Sequence, residues 1–158
     1  MTSNPNSELH TYQTPRLNEE KKEKKEDKQK NATAIVVNND NKILLLKRSD
    51  VKNIWMPNKW ALVGGAIEKN ENPKEAIKRE IKEETGLIID DFIKTFTIQR
   101  NPNNIEHIFA CRYKGEPTDV ELNNEHTNYG WFDENEMDYL DIVPNLMEYI
   151  TLSFKRYE

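Results

Sequence analysis

Apolar residues do not recur with any regularity until position 32. Residues 1–31 contain only Met1, Leu9, Tyr12 and Leu17 as apolar side chains, and residues 18–30 form an unbroken polar run of Glu, Lys, Asn, Asp and Gln. Such a run has nothing to bury, and acid–base pairs at helical spacing, such as Glu20 with Lys24, support only a transient solvated helix. Residues 1–31 are therefore expected to be a charged, disordered tail, and residues 32–158 a single globular domain.

From residue 32 the pattern becomes structured. Residues 32–37 read as a buried strand, followed by the turn Asn38-Asn39-Asp40-Asn41 and a second apolar strand over 43–47. Residues 60–63 run into Gly64-Gly65, where paired glycines mark a tight loop or a close approach to the backbone. Asn72-Pro73-Lys74-Glu75 opens a helix, with Asn72 as N-cap, Pro73 at the first helical position and Glu75 placed to close a capping box. Gly86 is placed to stop it, and Ala76, Ile77 and Ile81 give the helix an apolar stripe. Residues 87–100, 105–113 and 127–132 read as further strands, separated by Asn101-Pro102-Asn103-Asn104 and Lys114-Gly115-Glu116-Pro117. A last helix opens near Pro144 with Leu146, Met147, Ile150 and Phe154 on its apolar face. The order predicts an α/β fold, a mixed β-sheet with helices packed on its faces.

Charge follows the same boundary. The tail carries seven Lys/Arg against six Asp/Glu, whereas the domain carries sixteen against twenty-two. A domain with a net charge of −6 lacks the basic footprint of proteins that bind nucleic acid or anionic membranes, so neither partner is expected. Cys111 is the sole cysteine, and no apolar run is long enough to span a bilayer. A cytoplasmic setting follows as the expectation.

The chemistry concentrates in residues 65–87. Glu80, Glu83 and Glu84 stand at i, i+3 and i+4, which places three carboxylates on one helical face, where they repel. A hard divalent cation such as Mg²⁺ would offset that repulsion and link carboxylates to phosphates. Arg79, four residues before Glu83, is placed to hold that carboxylate through a bidentate contact. The plainer reading is a solvated charged face, given Lys74, Lys78 and Lys82 on the same helix, and spacing alone leaves both open.

Context favours the first. Gly65-x5-Glu71-x7-Arg79-Glu80-Ile81-x-Glu83-Glu84-x-Gly86-Leu87 resembles, position for position, the Nudix box G-x5-E-x7-R-E-U-x-E-E-x-G-U, where U is a bulky aliphatic residue. The likeness extends over residues 32–158 through Leu44-Leu45-Leu46-Lys47-Arg48-Ser49, residues 60–65, and Glu125-His126 ahead of Trp131-Phe132. Val63 stands where the family commonly has proline before the double glycine. The resemblance implies an α/β/α sandwich with a mixed β-sheet. It also implies hydrolysis of the phosphoanhydride bond in a nucleoside diphosphate linked to another moiety, by water attack at phosphorus with Mg²⁺ or Mn²⁺.

Carried over by position, Glu80 and Glu84 resemble the principal metal ligands, and Glu83 a further ligand or the group that orients or deprotonates water. Gly64 would offer its backbone carbonyl to the metal. Glu83, Glu84 and Arg79 form the expected catalytic set, and Glu71 would hold the site closed by hydrogen bonds. Arg48 and Glu125 are the expected substrate-side residues, Glu125 also as an extra ligand or base. Structural or solvent-exposed roles are expected for His107 and His126, a core position for Cys111, and packing for Trp131 and Phe132; Trp55 and Tyr129 are weaker choices for a nucleobase contact.

Two rival functions follow from the same fold. A nucleotide-sensing domain would keep the fold and lose the chemistry, against which the intact carboxylates argue. An isopentenyl-diphosphate-isomerase-like enzyme would require a catalytic cysteine, and Cys111 lies in no recognisable motif for one. Pro102, fifteen residues after Leu87, resembles the ADP-ribose-cleaving subgroup but also suits an ordinary turn.

Overall fold

The structure is a computed structural model, described here over residues 28–155. The tail expected to be disordered falls almost wholly outside those residues. Strand β1 (Gln29–Val37) begins three residues earlier than the apolar pattern suggested, because Gln29 pairs alongside Asn104. It is followed by β2 (Ile43–Arg48), β3 (Trp60–Ala61), β4 (Val63–Ala66), helix α1 (Pro73–Thr85), β5 (Ile93–Asn101), β6 (Asn104–Arg112), β7 (His126–Phe132), the short helix α2 (Glu134–Met137) and helix α3 (Leu146–Lys155).

The strands form one seven-stranded mixed sheet in the order β3-β2-β1-β6-β5, with β4 also paired to β1 and β7 to β2. Among the paired strands of the described residues, β1 and β6 run parallel and the other pairs are antiparallel. Strands β1 and β2 are apolar on both faces because both faces are covered. Ala32, Ala34, Val36, Leu44 and Leu46 pack under α1 with Ala76, Ile77 and Ile81. Ile35, Val37, Ile43 and Leu45 point the other way, onto Leu146, Tyr149 and Ile150 of α3. This is the α/β/α arrangement expected, with two cores divided by the sheet.

Helix α1 starts and stops where its sequence signals lie. The Asn72 side chain accepts from the Glu75 backbone N–H at 2.8 Å, Pro73 follows, and Gly86 takes the left-handed conformation at φ 72° while its N–H reaches the Lys82 carbonyl. Glu75 accepts from the Asn72 side-chain amide rather than its backbone N–H, so the expected capping box closes through side chains.

Two expectations need correction. Residues 87–92 form no strand: Leu87, Ile89 and Phe92 are buried in the α1-side core as a loop, and β5 begins only at Ile93. The buried face of α3 includes Tyr149 and Ser153, whereas Met147 and Phe154 are only partly covered. Helix α2, capped by Asp133, was not foreseen, because four residues carry too little periodicity to read. The Asn101-Pro102-Asn103-Asn104 segment is the β5–β6 hairpin turn, with the Asn103 N–H donating to the Asn101 side chain at 2.8 Å. That turn accounts for Pro102.

The burial of α1 predicts that Ile77→Ala, which empties a fully buried position, lowers stability by about 2–5 kcal/mol, against about 1 kcal/mol for Asn72→Ala at the exposed cap. Urea unfolding of both variants measures the contrast.

Candidate active site

Helix α1 and strand β4 build the first half of the site: α1 lies over β1 and β4, and the inner edge of its last two turns meets Gly64-Gly65. A Cβ at Gly65 would lie 2.6 Å from the Glu80 carboxyl carbon, and one at Gly64 would lie 2.3 Å from the Ala32 carbonyl oxygen. Contacts that short do not occur, so both glycines let a strand and a carboxylate approach as closely as they do.

Arg79 organises the acids around it. Its Nε donates to Glu71 Oε2 at 2.8 Å and its Nη2 to Glu71 Oε1 at 3.0 Å, a bidentate pair. Nη1 donates to Glu80 Oε1 at 2.9 Å and to Glu83 Oε2 at 3.1 Å, and Nη2 also to the Ala66 carbonyl at 3.0 Å. The bidentate partner is therefore Glu71, not Glu83 as expected. A fork grips both oxygens of a carboxylate that approaches it end on, and Glu71 comes from the loop to do so, whereas Glu83 rises beside it on the same helix. Glu71 Oε1 also accepts from the Glu68 backbone N–H at 3.0 Å, which ties the loop to the helix. The guanidinium is the first cause that holds Glu71 below the usual carboxylate range, and Glu71 in turn strengthens the hold of Arg79 on its proton.

Glu84 is handled differently. It is only 3% exposed, and its one recorded hydrogen bond comes from the Gly64 N–H to Oε1 at 3.0 Å. Burial pushes its carboxyl well above the usual range, with Glu80 and Glu125 adding repulsion that the Gly64 N–H and Arg48 only partly offset. Glu80 is raised as well, first by burial, against the pull of Arg79. Glu83 is the exposed member, its side chain 55% accessible. These are hard oxygen donors facing one another, with less positive charge among them than negative, and that donor set fits a divalent cation. For Gly64, the structure records the N–H acting on Glu84.

The remaining residues come from the far end of β2 and the start of β7. Arg48 donates from Nε to the Trp55 carbonyl, and its guanidinium lies 5.7 Å over the Trp55 ring, while its charge acts on both Glu84 and His126. The Ser49 N–H holds the Glu125 carbonyl at 2.9 Å, and Glu125 itself is exposed. A ring nitrogen of His126 and one carboxylate oxygen each from Glu84 and Glu125 lie within 4.8 Å of one another. His126 is 5% exposed, so of the two roles expected for it, exposure is excluded. Burial, then the Arg48 charge, pushes its ring down to about 4.

The cause is a β-bulge. Lys47 pairs with Asn128, but Arg48 pairs with His126 and skips Thr127. Tyr129 and Trp131 pack on the α1 side, so strict alternation would turn Thr127 to that face; the extra residue turns His126 there instead. Alternation in the sequence could not disclose it.

Other expected roles follow the packing. Trp131 stacks on Tyr113 with ring centroids 6.3 Å apart and donates to the Pro117 carbonyl, and Phe132 meets Trp60 edge-on at 5.2 Å. His107 is half-buried in β6, 3.4 Å from the Thr97 hydroxyl. Cys111 lies in the core, and burial raises its thiol to about 12, which leaves no reactive thiolate for an isomerase-like step. Trp55 is 57% exposed, whereas Tyr129 is partly buried against the α1-side core. Among the described residues no helix is long and apolar enough to cross a membrane.

Comparison with known proteins bears on the family and the fold. The NUDIX domain pattern matches residues 27–152. The nucleoside triphosphatase NudI of Salmonella paratyphi B is 33% identical over 134 residues, covering 76% of this chain and 92% of the relative; that of Salmonella typhimurium is equally similar. Among solved structures, the MutT protein from Methanosarcina mazei Go1 superposes with a TM-score of 0.66 at 23% identity, over 82% of this chain and 96% of that one. The NUDIX domain of Shewanella oneidensis NrtR, complexed with ADP ribose, gives 0.69 at 15% identity, over 83% and 89%. At these identities the structural matches bear on the fold alone.

The raised Glu84 carboxyl makes a stability prediction. A group that holds its proton more tightly when folded stabilises the fold while protonated, and this contribution is lost as pH rises from the ordinary carboxylate value of 4.5 through the folded one. In chelator, Glu84→Gln should therefore melt above the wild type at pH 7, with the gap closing toward pH 4. Thermal melts at the two pH values check this, and equal melting at pH 7 would contradict it.

Proposed function

The chain belongs to the NUDIX family and is a hydrolase of phosphoanhydride bonds, and we propose that it cleaves a nucleoside diphosphate bearing a further phosphate or other group, with Mg²⁺ or Mn²⁺. The observation that carries this reading is Glu84, a buried carboxylate flanked by Glu80 and Glu125 and only partly offset by one peptide N–H and the Arg48 charge.

Glu80 and Glu84 are the principal ligands in this reading, with Glu83 and the Gly64 carbonyl as further donors. When bound, divalent cations neutralise the diphosphate, polarise phosphorus and lower the pKa of attached water. The protein supplies position and charge. Arg79 keeps Glu80 and Glu83 aimed and locks the Glu71 loop against the helix, so the carboxylates do not rearrange as charge builds at phosphorus. Glu83, exposed and held by a single oxygen, is placed to orient the attacking water or take its proton. Arg48 bears on a phosphate oxygen from the end of β2, and Glu125 approaches from the loop before β7.

The substrate is a small molecule. Nucleoside triphosphates head the choice because the NudI relatives are named for that activity, and a nucleoside triphosphate is a nucleoside diphosphate joined to a phosphate. The net charge of −6 on residues 32–158 speaks against nucleic acid. A cytoplasmic setting accompanies this reading.

The test is hydrolysis of a panel of NTPs, dNTPs, nucleotide sugars, ADP-ribose and dinucleoside polyphosphates with Mg²⁺ or Mn²⁺. Turnover of at least one class is expected, and Glu83→Gln and Glu84→Gln should each lower kcat by about a hundredfold or more with unchanged circular dichroism. No turnover across the panel would overturn the substrate class. Full activity in both variants would overturn the assigned roles.

A further inference from the structure

His126 is the one nitrogen-bearing member of an otherwise carboxylate cluster, and a β-bulge turns it inward. Asn123 and Glu125 settle which of its nitrogens is free. The Glu125 backbone N–H donates to Asn123 Oδ1 at 3.2 Å, which fixes that atom as the amide oxygen. The same oxygen lies 3.2 Å from His126 Nδ1, so Nδ1 must carry the proton and donate. In the neutral ring Nε2 is then left with its lone pair, and it makes no hydrogen bond among the described residues. A histidine whose Nδ1–H is held by an oxygen acceptor while Nε2 stays bare is the arrangement found at metal-ligating imidazoles.

The surroundings suit a cation. One ring nitrogen of His126 lies within 4.8 Å of a carboxylate oxygen on Glu84 and of another on Glu125, close enough for one ion to touch all three residues after small side-chain adjustments. These residues come from α1, the loop before β7 and β7 itself, so the cluster is assembled by the fold and not by one charged segment.

We propose that His126 Nε2, with Glu84 and Glu125, forms a cation position of mixed nitrogen and oxygen donors beside the all-carboxylate face of α1. Resting on the hydrolase reading, it deepens it by separating two kinds of position. The α1 face, built from oxygens alone, suits Mg²⁺. An imidazole donor favours a transition-metal ion, because Mg²⁺ prefers oxygen and parts reluctantly with water. The site should thus discriminate Mn²⁺ from Mg²⁺ more strongly than its glutamates alone would, with Glu84 as the ligand common to both positions.

Pulsed electron paramagnetic resonance of Mn²⁺ bound to the full chain tests this directly. The sequence has three histidines, His10, His107 and His126, and of the two in the described residues only His126 lies in the carboxylate cluster. Nitrogen modulation of the Mn²⁺ signal is expected in the wild type, changed by ¹⁵N-histidine labelling and absent in His126→Gln. Calorimetric titration should show Mn²⁺ affinity falling in His126→Gln by about tenfold more than Mg²⁺ affinity. Asn123→Ala keeps the ring and removes its anchor, so it guards against a folding defect in the first variant; Mn²⁺ should bind it about tenfold more weakly. Bound Mn²⁺ with no nitrogen modulation, or modulation that persists in His126→Gln, overturns the inference and leaves the hydrolase reading intact. No Mn²⁺ or Mg²⁺ binding by the wild type overturns both.

Discussion

The arrangement of charge along the inner edge of α1 is the constraint on which the rest of the site depends. One guanidinium, Arg79, reaches Glu71, Glu80 and Glu83 at once but makes no contact with Glu84, which sits deeper against β4. A surface cluster of this kind would be relieved by water and salt. Here the sheet on one side and the helix on the other exclude water from Glu84, so its charge is costly in the protein alone. The fold holds the carboxylate there nonetheless, between a rigid helix and the backbone of Gly64. An unfavourable group kept in place by well-packed elements is a common feature of active sites, where stability is given up for a preformed binding geometry.

The scaffold explains how that geometry is held. The cores on the two faces of the sheet fix β1 and β2 from both sides, and β1 in turn carries β4 with its two glycines. Helix α1 is pinned by Ala76, Ile77 and Ile81 beneath it and by its caps at each end, so the carboxylates on its inner edge inherit the position of the sheet. The loop before the helix is secured through Glu71 and Arg79, which makes the same arginine both an electrostatic counterweight and a mechanical clasp.

Much of this was legible in the chain because it is local. Asn72, Pro73 and Gly86 act on their own helix ends, and the alternation of Leu44 and Leu46 with Ile43 and Leu45 reports two covered faces directly. The spacing of Glu80, Glu83 and Glu84 likewise belongs to a single helix. What was hidden depends on long-range placement. Whether Arg79 grips Glu71 or Glu83 is decided by how the loop folds back, and the burial of His126 by a bulge that appears only when β7 is laid against β2. Residues 87–92 look like a strand because they are apolar, yet they bury Leu87, Ile89 and Phe92 without pairing. Apolar content alone does not separate a buried loop from a short strand.

In the proposed function, the buried Glu84 charge is balanced by a bound divalent cation. Differential scanning calorimetry of the wild type and Glu84→Gln, each with and without saturating Mg²⁺, tests that balance most directly, since a ligand that binds only the folded state raises its melting temperature. The wild type should gain clearly from the cation and Glu84→Gln should gain much less. An equal gain in both proteins, or none in the wild type, would contradict a cation held by Glu84.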